Sequence, residues 1–179
     1  MFTGFDKNLF INDISLYYGS IKIIGKHKPK PQIGKFVSIA SGVSWVAVGH
    51  KTTRVTTFPF SMLGEEEINH PQYYEDLHIG NDVYIGNDVM FVGNCYIGDG
   101  AIIGARSVVR GHVMPYSIVT GNPAAHVRYR FIEIDIDLLL KVKWWNWPLE
   151  EIIEQKEILC GNDPILIYSY ALKKGYINE

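Results

Sequence analysis

A chain of 179 residues is long enough to bury one sizeable core, and 47% hydrophobic with 20% charged residues is the mix of an ordinary globular domain. The formal charge of −2 argues against a general polyanion binder, and no apolar run approaches the ~20 residues that cross a bilayer, so neither nucleic acid nor membrane is an expected partner. Two cysteines, Cys95 and Cys160, are too few for a disulfide framework or a Cys-rich zinc site. The segment Met1 to Asn12 lacks a basic region followed by an apolar stretch, so a cytoplasmic location is expected.

The first 32 residues are mixed, with a candidate strand at Ile21 to Gly25 and a Pro-containing loop at Lys26 to Gln32. A count of six then begins. Ile33-Gly34 and Ile39-Ala40 open the first blocks, and the period runs to about Trp45. It resumes cleanly with Ile79-Gly80, Ile85-Gly86, Ile97-Gly98 and Ile103-Gly104; Phe91-Val92 and Val109-Arg110 keep the register with altered residues. A period of six with an aliphatic residue followed by a small one predicts an all-β solenoid. Three blocks make one triangular coil, with the aliphatic inside and the small residue at the bend. Cys95 falls inside a block and reads as a small buried hydrophobe.

Residues 46–78 break the period and must loop out of the prism, because coils stack without gaps. This extended insertion holds Gly49-His50, Pro59, the acidic run Glu65-Glu66-Glu67 and the pair Tyr73-Tyr74. Its aromatic content favours an ordered, functional excursion. The repeats fade after Val113, and Ile118 to Pro123 reads as a last partial coil and a turn. Aliphatic residues then recur at helical spacing over Asp135 to Lys143 and Leu149 to Leu159, and a third helix is expected over Pro164 to Lys174. The domain reading is a β-helix over 1–130 with the insertion at 46–78, and a helical extension over 131–179 that caps the open coil end. Trp144, Trp145 and Trp147 read as packing anchors of that cap.

The string Gly34 to Val43, then Gly49-His50, then Thr56-Thr57-Phe58-Pro59-Phe60, resembles the hexapeptide-repeat xenobiotic acetyltransferases. These include chloramphenicol and streptogramin acetyltransferases of the solenoid type. Gly121-Asn122-Pro123-Ala124 and Lys143 to Pro148 carry the same resemblance, although Ala125 stands where the family often has Lys. The match covers roughly residues 33 to 160. It implies a left-handed parallel β-helix, a homotrimer, acetyl-CoA as donor and a hydroxyl acceptor. Two acceptors stay open: an antibiotic, or a sugar of a surface polysaccharide or its nucleotide-linked precursor. A solenoid scaffold without activity is the non-enzyme alternative, and an intact His50 argues against it.

The chemistry needs a base to take a hydroxyl proton as oxygen attacks a thioester, and imidazole, which ordinarily titrates at ~6.5, can do this near neutral pH. With the family strings around it, His50 is the candidate base; Glu65, Glu66 and Asp82 are alternatives for orienting its ring. Related solenoid acetyltransferases imply that Asn87 and Ala105, each following a block glycine, line the pantetheine groove. The same resemblance implies that Arg110 and Arg128 meet the acetyl-CoA phosphates, a role that suits guanidinium. Phe58, Tyr73 and Tyr74 share the loop with His50 and are the acceptor-binding candidates. His70, His78 and His112 raise a zinc alternative. They lack the spacing of solenoid carbonic anhydrases, so no metal is expected.

Overall fold

The computed structural model describes residues 19–24, 30–47, 49–50, 52–58, 60–64 and 75–178. Eleven strands among them are β1 (Lys22–Ile24), β2 (Gln32–Ile33), β3 (Ser38–Ile39), β4 (Ser44–Val46), β5 (Leu77–Ile79), β6 (Tyr84–Ile85), β7 (Met90–Ile97), β8 (Ile102–Ile103), β9 (Val108–Val113), β10 (Ser117–Thr120) and β11 (Ala125–Tyr129). Most are two or three residues long, as a six-residue block of strand plus bend demands. They form three parallel ladders. β1, β4 and the first halves of β7 and β9 make one, with Trp45 opposite Phe91 and Phe91 opposite Val109. β2, β5 and the second halves of β7 and β9 make the next, aligning Ile33, Ile79, Ile97 and Val113. β3, β6, β8 and β10 align Ile39, Ile85, Ile103 and Val119.

Each repeated aliphatic therefore lies over its counterpart three blocks away, and the ladders curl round one core. Ile39, Ile85, Ile103, Phe91 and Trp45 are all at most 2% exposed, and Cys95 is fully buried with them. The Trp45 indole N–H is satisfied inside this core by the Gly93 carbonyl at 3.0 Å. Corners bond to the coil beneath: Asp82 N donates to Lys35 O, Gly100 N to Asn81 O, and Tyr116 N to Asp99 O, at 2.7–2.9 Å. The corner residues Phe36, Asp82, Gly100 and Tyr116 have φ of 54–69°, a left-handed conformation that the stacking hydrogen bonds compensate.

β11 alone runs antiparallel, on β10. The turn before it folds back, so that Ala124 N donates to Val108 O and the Ala124 side chain packs on the core. Beyond β11 come α1 (Glu133–Val142), α2 (Leu149–Glu154), α3 (Lys156–Leu159) and α4 (Pro164–Lys174). Pro164 opens α4 behind the Asp163 cap, and Gly175 ends it in a left-handed conformation. The helices bury a second cluster with Leu139, Val142, Trp147, Ile167 and Ala171 around Tyr116. They meet the coils along the corner of Phe36, Asp82, Gly100 and Tyr116. Trp144 packs 4.7 Å from Phe36, Phe131 lies edge-on to Tyr116, and Arg130 donates to Asp82 and to the Gly100 carbonyl. This lies along one side of the coils, where the sequence reading expected the open end; the turn through Ala124 folds over the last coil instead. No helix among the described residues is long and apolar enough to cross a membrane.

Candidate active site

The inserted loop is rooted where the first ladder turns into the second. Ala47 is fully buried, and its carbonyl accepts from Glu75 N at 3.3 Å, so the chain leaves and re-enters at one point. Asp76 N is held by the Asn94 side chain at 2.6 Å. The ladders on either side continue without a gap, through Trp45 opposite Phe91 and Leu77 opposite Cys95.

His50 is exposed three residues beyond this root. Its Nδ1 lies 2.7 Å from the Thr57 carbonyl oxygen. A carbonyl only accepts, so Nδ1 carries the ring proton and the lone pair falls on Nε2. Among the described residues a backbone carbonyl contacts the ring, a group that sequence reading did not offer. Asp82 is committed elsewhere, in an ion pair with Arg130 at 3.1 Å. Burial pushes its carboxyl above the usual aspartate range, against the opposing pull of Arg130. Glu65 and Glu66 lie outside the described residues.

Of the acceptor candidates, Phe58 is 46% exposed and stands edge-on to Phe60 at 5.6 Å, so an apolar edge flanks the loop that holds His50. Tyr73 and Tyr74 lie outside the described residues. Asn87 and Ala105 come together at the corner between the third and first ladders, where Arg106 N donates to Asn87 O at 2.7 Å. Asn87 Nδ2 also reaches Ser41 Oγ at 3.0 Å. The corner is exposed at Asn87, Ala105 and Arg106. Gly86 lets it stack: a Cβ at Gly86 would sit 2.6 Å from the Ala105 nitrogen.

The two arginines do not join that corner. Arg110 stands at the loop's own corner, where a Cβ on Gly93 would lie 3.5 Å from its guanidinium. Arg128 is on the exposed β11 and donates to the neighbouring Tyr129 carbonyl at 2.9 Å. The cation that does stand beside Ala105 is Arg106, largely exposed and 3.7 Å from Asp88. Sequence reading passed over it because the family resemblance pointed to Arg110 and Arg128 instead. His78 and His112 are separated by Tyr96, with successive ring centroids 5.0 and 4.8 Å apart in a parallel stack. His70 lies outside the described residues. Among the described residues no group of His, Cys, Asp or Glu is placed to hold a metal ion.

The family model described as bacterial transferase hexapeptide (six repeats) matches residues 76–111. A chloramphenicol acetyltransferase of Escherichia coli is 41% identical over 144 residues, covering 76% of this chain and 69% of that one. One from Morganella morganii is 39% identical over 77% of this chain and 70% of its own. A probable macrolide acetyltransferase of Lysinibacillus sphaericus is 44% identical over 72% of this chain and 76% of its own.

Proposed function

Because the chain belongs to the hexapeptide-repeat xenobiotic acetyltransferases, the family of these chloramphenicol and macrolide relatives, and is itself an acetyltransferase, we propose that it moves an acetyl group from acetyl-CoA to a hydroxyl of an antibiotic-like acceptor, with His50 as general base. The observation that carries the mechanism is the 2.7 Å contact between His50 Nδ1 and the Thr57 carbonyl. It leaves Nε2 as the atom that takes the acceptor's hydroxyl proton while the oxygen bonds to the acetyl carbon. The Thr57 carbonyl also stabilises the imidazolium that results, and that imidazolium returns its proton to the departing sulfur.

The donor supplies its acetyl group as a thioester, and the exposed corner of Asn87 and Ala105 is the place proposed for its extended arm. The exposed Arg106 beside it fits a phosphate-bearing ligand. Arg110, at the corner of the loop, and Arg128, on β11, remain proposed phosphate contacts. Phe58, with Tyr73 and Tyr74 of the same loop, is proposed to hold the acceptor; the exposed Phe58–Phe60 edge supports an apolar one.

The coils are proposed to wind left-handed and the active form to be a homotrimer. His50 and the Asn87–Ala105 corner are rooted on different corners of one chain, which supports a site shared between neighbouring copies. The test is an acceptor screen of chloramphenicol, a macrolide, a streptogramin and simple sugars, with release of free CoA thiol as readout. Turnover with an antibiotic supports the proposal; turnover with sugars alone overturns the acceptor class. His50→Ala is expected to cost on the order of 10²–10⁴ in rate with acetyl-CoA affinity unchanged. A variant that keeps more than about a tenth of parental turnover places the base elsewhere.

A further inference from the structure

We infer that Thr56 is a positioning residue for the base and that it acts through a single peptide unit. The inference rests on the reading of His50 as general base. Phe58 N–H donates to Thr56 Oγ1 at 3.1 Å. The Thr57 carbonyl accepts from His50 Nδ1 at 2.7 Å. That N–H and that carbonyl are the two ends of one planar trans peptide, so they point in opposite directions. The Thr57–Phe58 peptide is therefore gripped at both ends, by a hydroxyl on one side and by the imidazole on the other.

The grip sets two properties of the base. Holding the N–H toward Thr56 aims the carbonyl at His50, which fixes the plane of the ring. Because the carbonyl only accepts, it also fixes the proton on Nδ1 and keeps the lone pair on Nε2. His50, Thr56, Thr57 and Phe58 are all exposed, so water competes for each of these groups. A hydroxyl two residues before the N–H is the local device that holds the turn without a buried core around it. Thr56 touches neither substrate nor cofactor in this scheme. Its hydroxyl is the working group, and Ser supplies the same one.

The experiment compares Thr56→Val and Thr56→Ser with the parent in the full-length protein, by steady-state kinetics and by imidazole ¹⁵N NMR of His50. Thr56→Val is expected to lower kcat on the order of tenfold, the scale of one lost hydrogen bond in the transition state. KM for acetyl-CoA stays unchanged. The His50 signals shift from the Nδ1–H tautomer toward Nε2–H, and Thr56→Ser restores both kcat and tautomer. A Thr56→Val protein with parental kcat and parental tautomer overturns the inference, as does a Thr56→Ser protein as impaired as the valine variant. Melting curves of both variants exclude misfolding, and Thr56→Ser keeps the hydroxyl test valid if valine disturbs the loop. His50→Ala, run alongside, isolates the premise. Retained turnover there overturns the base assignment, while the tautomer shift in Thr56→Val still reports on the grip.

Discussion

At the scale of single residues, the coils are most constrained where backbone meets backbone. Gly86 is the clearest case. A Cβ there would lie 2.6 Å from the nitrogen and 2.9 Å from the Cα of Ala105, and neither is the end of a flexible side chain. Gly86→Ala is expected to cost about 1–3 kcal/mol by overpacking. It should also displace the Asn87–Ala105 corner, so acetyl-CoA affinity falls along with the melting temperature. Denaturant unfolding and isothermal titration check the two effects; parental values in both would show that the corner yields without cost. His50 is the opposite kind of residue. It is exposed and contacts a backbone carbonyl, so under the proposed role its loss is expected to remove chemistry and leave packing intact.

Between elements, the contact of the helices with the coils depends on an ion pair and on aromatic rings. Arg130, just beyond β11, reaches Asp82 and the Gly100 carbonyl and lies over the rings of Tyr116 and Phe131. Burial raises the Asp82 carboxyl above its ordinary value of 3.8. A carboxyl whose folded-state pKa is raised binds its proton more tightly in the native state. Its stabilising contribution is present below the unfolded value and is lost as pH rises through the folded one. The stability of the parent relative to Asp82→Asn is therefore expected to fall as pH increases from about 4. Melting temperatures of the two proteins across pH 4–7 test this, and a difference that is constant or grows with pH would contradict it. The same junction argues that the helices are needed for solubility. A chain ending at Val142 lacks Trp144, Trp145 and Trp147 and uncovers Phe36 and Tyr116 along one side of the coils. Aggregation is the expected outcome, read by soluble yield and light scattering; a soluble, active product ending there would refute it.

For the whole molecule, the separation of His50 from the Asn87–Ala105 corner makes assembly a functional question. A closed three-fold ring is expected, with a solution mass about three times the chain's 20.3 kDa. Light scattering at micromolar concentration that gives a stable monomer would sink the shared-site proposal. Acetyl-CoA is expected to raise the melting temperature by binding the folded state, and Arg110→Ala and Arg128→Ala to weaken that rise. If only Arg106→Ala weakens it, the phosphate contact lies at the Ala105 corner, where the fold places a cation beside the groove candidates.

The register of the coils was legible in the sequence because the core needs one inward aliphatic per block. Ile79, Ile85, Ile97 and Ile103 therefore announced their own pairing partners. The helices were legible for the same reason, at a period of 3.6, and α4 spans Pro164–Lys174 as its proline and glycine punctuation suggests. His50 was singled out by the family strings around it, inside a break in the repeat, and its role as base stands as the proposal. What the sequence could not settle depends on contacts without a period. The path of the helices along the Phe36–Tyr116 corner follows from Arg130 finding Asp82 and from Trp144 finding Phe36, across more than forty residues of chain in each case. The Thr57 carbonyl as a partner of His50 was hidden for a different reason. A backbone carbonyl leaves no mark in a sequence, since any residue at position 57 would carry one. Only the folded loop turns the Thr57 carbonyl toward the ring, and the neighbouring threonine hydroxyl holds the turn that aims it.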